Sequence, residues 1–354
     1  MTVVASDAAL HRVRVGEFEL TLRDLQPADM QAMLALHTQV FGAGVDARWF
    51  AWKYGQEPGQ GKSQALGAWY GDELIAYCGG VPRTLWQRGK MLHGLQMGDV
   101  MVHPAWRGIL TRRGPFFHVT QSFHRSRIGA APDKPFQLGF GFPNQRHLRL
   151  GVMLGLMIDD GEMEALHWNT SHPPVPRLPL SLRWRELTAS DARFERCVNS
   201  AWQAMRTQAA GLMLGQRDAA YLRWRYADRP ADLTAAQELS PRYRFFELRR
   251  LWSIAPLGVA VLDLRLPSAH WLDWIGPVGS MAIASRACRL EAARAGATSL
   301  TAWASAAVAR QLEDSVILRR EPCAGLAISI ASALPEQNPA GLNWWLMGGD
   351  TDFL

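Results

Sequence analysis

The sequence predicts an α/β (α+β) protein built from two tandem units, and three observations predict it. Residues 96–120 read as a strand, a basic glycine loop and a helix. The segment Asp46-Ala-Arg-Trp-Phe-Ala-Trp52-Lys53-Tyr54 to Pro58 recurs 172 residues later as Asp218-Ala-Ala-Tyr-Leu-Arg-Trp224-Arg225-Tyr226 to Pro230. The aspartate, tryptophan, base, tyrosine and proline keep identical spacing, which marks an internal repeat. The order of strand and helix signals after the first copy also returns after the second.

Taken in order, Val13 to Leu22 alternates apolar and polar residues and predicts a first strand or hairpin. Asp24 to Phe41 carries Met30, Met33, Leu34, Leu36 and Val40 at helical spacing, with a capping aspartate near Asp29. The first repeat copy predicts an aromatic-rich helix closed by Pro58. Ala65–Tyr70 and Leu74–Val81 flank Gly71-Asp72, a short hairpin signal, and Thr84–His93 adds a strand or turn. Met97 to Val102 is apolar, with Val100 and Val102 in register, and Pro104 ends it. A turn holding Arg107, Gly108, Arg112, Arg113 and Gly114 follows. Pro115 then sits at a first helical position, with Phe116, Val119, Thr120 and Phe123 at helical spacing. Pro135 to Phe142 closes this series as a short strand.

His172 to Leu180 is rich in proline and predicts a linker, giving a division into 1–170, a linker over 171–198, and 199–354. Beyond it the series repeats. Tyr243–Arg249 with Leu257–Leu264 forms a hairpin, Trp271–Ile275 a central strand, and Ser280–Ala295 an alanine-rich helix. Ser299–Trp303 is a strand and Ala306–Leu312 a helix. The tail bears Trp344 and Trp345, which favour docking over fraying.

Composition narrows the function classes. The 354 residues are 48% hydrophobic and 20% charged, enough for two domains with cores of their own. No apolar run reaches membrane-span length and the N-terminus lacks signal-peptide features, so a cytoplasmic protein with no membrane partner is expected. Cys78, Cys197, Cys288 and Cys323 have no pairing or metal spacing, and no metal site is expected. A net charge of +6 and a pI near 9.4 suit a polyanion. The arginines form no stripe interleaved with exposed aromatics, so a polyanionic cofactor ranks above nucleic acid.

A strand, basic loop and helix in succession aim unpaired N–H groups and a helix dipole at one spot, which suits an anion. The run from Asp99 through Val102, Pro104 and Arg107-Gly108 resembles motif A of the GNAT superfamily of N-acetyltransferases, whose loop wraps the diphosphate of acetyl-coenzyme A. The glycines fall at Gly108 and Gly114, a loop longer than the family pattern by about two residues. Gly141-Phe-Pro-Asn144 followed by Leu150-Gly-Val152 resembles a subgroup with a Gly-Phe-Pro-Asn turn before a short helix and a strand. The resemblance implies two tandem domains, each a mixed, mostly antiparallel twisted sheet flanked by helices. It implies that Met101, Val102, His103, Arg107, Gly108, Arg112, Arg113, Gly114 and Asn144 hold acetyl-CoA or another acyl-CoA as cosubstrate.

The implied reaction is direct transfer of the acyl group to an amine on a small molecule or peptide, since no cysteine lies in the loop to carry it. Backbone N–H groups of Met101 to His103 would polarise the thioester. Asp99 is the first candidate for the base, and His147, where many members carry a tyrosine, for protonating the thiolate. Asp350 and Asp352 are further carboxylates if the tail reaches the cleft. Repetition of the aromatics in both halves favours core packing over recognition. Gly276-Pro-Val-Gly279 replaces the basic loop in the second half, predicting a degenerate unit that walls the cleft or forms a homodimer. Two alternatives stand beside this: an aminoacyl or peptidyl transferase of the same fold, and a non-catalytic scaffold.

Overall fold

The computed structural model describes residues 11–42, 45–55, 64–108, 113–171, 177–209, 211–230, 242–312, 316–334 and 340–351. The first half runs β1 (His11–Val15), β2 (Phe18–Asp24), α1 (Met30–Phe41), α2 (Ala47–Gly55), β3 (Gln64–Tyr70), β4 (Glu73–Gln87) and β5 (Lys90–Val102). It continues with α3 (Pro115–Arg127), β6 (Leu138–Gly141), α4 (Gln145–Met153) and β7 (Met157–Asn169). The second half opens with β8 (Leu182–Leu187), α5 (Ala192–Gln208), β9 (Met213–Gly215) and α6 (Ala219–Leu222), which runs into a π-helical turn over Arg223–Ala227. It continues with β10 (Tyr243–Arg250), β11 (Pro256–Asp263), β12 (Ser268–Ile275), α7 (Met281–Arg294) and β13 (Ser299–Ser305). The last elements are α8 (Ala306–Arg310), β14 (Arg319–Ser329) and β15 (Trp344–Trp345).

Among the described residues, fifteen strands form one sheet, with the main path β1-β2-β3-β4-β5-β6-β14-β7-β13-β12-β11-β10-β8. Neighbours on this path are antiparallel except at β5–β6 and β12–β13, one parallel pair in each half. The centre shows how the halves join. β14, from the second half, pairs with β6 and β7 of the first, while β7 pairs with β13 of the second. Each half therefore completes its sheet with a strand of the other, β14 in the first and β7 in the second.

The strand period of two sends β5 side chains to two cores. Leu95, Met97, Val100 and Val102 pack with Val119 and Phe123 of α3 on one face. Met101 turns to the other, against Met33 and Leu36 of α1 and Phe50 of α2. Each such side chain, fully buried, contributes about 1.5–3 kcal/mol.

The repeated segments meet at the junction of the halves. Asp46 Oδ1 accepts from Trp49 N at 2.8 Å, and Asp218 Oδ1 accepts from Tyr221 N at 2.8 Å, so each aspartate caps its helix. Trp52 Nε1 donates to Trp224 O at 2.6 Å, Trp224 Nε1 donates to Trp52 O at 3.1 Å, and the rings stack 5.7 Å apart. The reciprocity shows a local two-fold relation.

Three local expectations need correction. The stretch 171–198 holds β8, paired with β10, and the first turns of α5, because Leu187 and Phe194 are buried in the second core. Pro173, Pro174 and Pro176 lie outside the described residues. Thr84 to His93 divides between β4 and β5, with the turn at Arg88-Gly89. Leu150-Gly151-Val152 lies within α4; β7 begins only at Met157, after a left-handed turn at Gly155.

Candidate active site

The site begins where two parallel strands part. β5 and β6 pair from Gly94–Leu138 to Met97–Gly141 and no further. At this last rung glycine fits most easily, since a Cβ on Gly141 would sit 3.1 Å from Met97 O and force the backbone to give by a few tenths of an ångström. Pro143 offers no N–H for the ladder, and the chain leaves through Asn144 into α4. β5 runs on but breaks step with β4. Gly98 faces Gly79 and Met101 faces Tyr77, so Asp99 and Val100 together oppose Cys78, with Asp99 at φ 50°. This is a β-bulge, which bends the strand and re-aims its groups.

A cavity of about 210 Å³ fills the opening. Met97, Gly98, Asp99 and Val100 line one wall; Gly141, Phe142, Pro143 and Asn144 line the other. Phe41, Phe116, His147, Met157 and Ala327 close it. His103 N donates to Ile75 O at 2.8 Å, toward β4. By the period of two, Met101 N–H shares that direction, whereas Val102 N–H points to the opened side; Val100, inside the bulge, lines the cavity. Of the three residues Met101, Val102 and His103, only Val102 turns its amide to the opening.

Arg107 folds beneath this edge, its Nε donating to Val102 O at 2.9 Å. His103 Nδ1 accepts from Ala105 N at 3.2 Å, which ties its ring to the turn. Gly108 and Gly114 are open, with nothing within 4 Å of an added Cβ. Gly114 is the N-cap of α3 and Pro115 its first residue, which leaves first-turn N–H groups and the positive dipole end available to an anion. Arg113 lies with its Cζ 4.9 Å from the Phe117 ring, beside an open hollow of about 530 Å³ that Arg14 and His118 also line. Arg112 lies outside the described residues.

Asp99 and His147 both line the cavity. Burial alone would favour neutral Asp99, but Lys53 charge, with hydrogen bonds from Lys53 and Tyr54, holds its carboxyl below the usual range. Lys53 Nζ donates to Asp99 Oδ2 at 2.8 Å and Tyr54 Oη donates to the same oxygen at 2.6 Å. Asp99 is a paired carboxylate at neutral pH. His147 stacks on Phe116, centroids 6.2 Å apart, and its amide donates to Asn144 Oδ1 at 3.0 Å. Burial, then Arg146 and Arg107, depress its pKa and keep it a neutral imidazole near pH 7. A neutral ring can accept a proton.

Of the tail carboxylates, Asp350 does not line this cavity. Asp350 is buried against Arg217, which also donates to Asp273 at 2.9 Å, and Asp352 lies outside the described residues. Sequence reading missed Lys53 and Tyr54 as partners of Asp99, and Phe41, Phe142, Met157 and Ala327 as cavity walls. The repeat did single out Lys53 and Tyr54, but only as packing.

The second half parts its strands too: β12 and β13 pair only to Trp271–Ala302. There the chain's own tail enters the gap. Met347 bridges to Ala304, Ser305 N donates to Leu346 O at 3.0 Å, and Arg225 Nε donates to Gly349 O at 3.0 Å. Gly349 is a close fit, since a Cβ there would run into the Tyr226 hydroxyl.

Residues 21–125 match the family model described as an acetyltransferase (GNAT) domain, a span from β2 to α3 that includes the bulge and the basic loop. Among solved structures, a probable N-acyltransferase from Enterococcus faecalis V583 aligns with TM-score 0.61 at 12% identity, over 87% of this chain and 72% of that one. The chain has the GNAT acyltransferase fold. A GCN5-related N-acetyltransferase from Kribbella flavida aligns with TM-score 0.58 at 17% identity, over 87% of this chain and 70% of that one. Saccharomyces cerevisiae N-myristoyltransferase, solved with bound myristoyl-CoA, aligns with TM-score 0.55 at 10% identity, over 91% and 81%. No curated protein matches this chain in sequence.

Proposed function

We propose that the protein moves an acyl group, acetyl first among candidates, from acyl-CoA to an amine on a small molecule or peptide. The observation that carries this reading is the cavity between β5 and β6, open beside the start of α3. Its walls are largely apolar, which suits the pantetheine arm, and the backbone of Val100 in its wall, with Val102 just beyond, would supply main-chain donors. The first turn of α3 with Arg107, Arg113 and Arg112 would meet the diphosphate. The acyl-CoA of a solved neighbour of this fold supports the same donor class.

In the reaction the amine nitrogen bonds to the thioester carbonyl carbon, the carbon–sulfur bond breaks, and the thiolate leaves with the electron pair. The amine proton passes to His147, whose neutral ring lines the cavity, directly or through water. Asp99, ionised and paired with Lys53, sits in the cavity wall. We assign donor binding to the first unit, 1–170 completed by β14, and a supporting role to the second, whose gap is filled by the tail. A cytoplasmic location follows from the donor.

Calorimetry tests this. Wild-type protein should bind acetyl-CoA one to one, and the Arg107→Ala, Arg113→Ala double variant should bind at least about tenfold more weakly, a loss of about 1.4 kcal/mol. Absence of heat with wild type would remove the enzyme reading in favour of a scaffold.

A further inference from the structure

The break in β5 is costly by itself. An aspartate at φ 50° occupies the left-handed region, which costs L-residues roughly 1–2 kcal/mol, so something must hold it. Two side chains from α2 do so. Lys53 and Tyr54 are adjacent in sequence, both reach Asp99 Oδ2, and Lys53 is only 5% exposed. α2 is fixed in turn by the Asp46 cap and by the Trp52–Trp224 lock. The bulged residues Asp99 and Val100, with Gly98 beside them, form one wall of the cavity.

The second unit carries the tyrosine half of this arrangement, with Arg217 as the cation on its aspartate. Tyr226 Oη donates to Asp273 Oδ2 at 3.3 Å, and β12 also slips register there, with Val261 facing Asp273 and Leu262 facing Trp271. The tie thus accompanies the strand break even where the tail fills the gap. It belongs to the geometry of the break rather than to the chemistry.

We propose that Lys53 and Tyr54 are positioning residues: by anchoring Asp99 they fix the bulge, and the bulge aims the main-chain donor of Val100 at the carbonyl oxygen of the bound acyl group. The inference rests on the donor-site reading above. Neither side chain bonds the substrate; both act through Asp99. Donors set in advance at the site of developing charge act without reorganisation, and a loosened bulge loses that advantage.

The test uses full-length protein with acetyl-CoA carrying ¹³C at the thioester carbonyl. Bound to wild type, the carbonyl stretch should fall relative to free acetyl-CoA. In Lys53→Met most of that shift should vanish, while acetyl-CoA affinity by calorimetry stays within about threefold. Lys53→Arg should restore the shift, since a guanidinium keeps the positive charge and can donate to the Asp99 carboxylate. If Lys53→Met does not fold, Tyr54→Phe, which removes one hydroxyl, decides: a reduced shift supports the proposal and an unchanged one overturns it. A full shift in Lys53→Met, or no recovery in Lys53→Arg, also overturns it. Wild-type protein that takes up acetyl-CoA without any shift overturns this inference alone, and protein that takes up none overturns the donor-site reading with it.

Discussion

Gly141, Asp99 and His124 show how single residues set this molecule's properties. Gly141 lets two backbones meet at the last rung before the strands part, and Asp99 accepts a strained conformation because Lys53 and Tyr54 hold its carboxylate. His124, on α3, is buried, with Nδ1 3.0 Å from Ser329 Oγ on β14. Burial pushes its pKa from the ordinary 6.5 down to about 4. The folded state therefore binds fewer protons than the unfolded chain between these values. The stabilising effect of the neutral ring is complete above pH 6.5 and declines as pH falls toward 4, by up to about 3 kcal/mol. Denaturant melts from pH 7 to pH 4 should show this loss, and His124→Asn should flatten the slope; an unchanged slope would contradict the assignment. Some of this scale was legible in sequence. Val102, Pro104 and Arg107 marked the junction, and Asp99 and His147 were named and do line the cavity. The partner of Asp99 was not legible, because Lys53 lies 46 residues away and no spacing rule joins the two.

Among the elements, β5 was the most legible, since apolar period and a closing proline are local signals; Asp29, expected to cap α1, instead accepts from Arg23 and the Gln26 amide. α4 was not. Leu150-Gly151-Val152 has the composition of a strand, yet it continues the helix begun at Asn144, and the turn at Gly155 ends it. Tertiary packing decided, as Leu148 and Gly151 are buried against neighbouring elements. The caps make a prediction. Asp218→Ala removes the acceptor for Tyr221 N and should destabilise the protein by about 1 kcal/mol in thermal melts. Because α6 carries the Trp224 half of the lock, its loss should also loosen α2. An unaltered melting temperature would show that the cap carries no load.

At the scale of the whole molecule, the internal repeat announced two units but not their exchange of strands. β14 reaches back past β13 and β7 to pair with β6, and such pairing depends on contacts far apart in sequence that element order does not encode. The exchange makes the two units interdependent, while the tail makes them unequal: residues 346–350 enter the gap between β12 and β13, and the gap between β5 and β6 keeps its cavity. A single donor site in the first unit is the central claim. Hydrogen exchange with and without acetyl-CoA tests it most directly. The account predicts slowed exchange over 98–102 and 141–147 and no change over 271–275 and 344–350. Protection of the second set, or of neither, would contradict it.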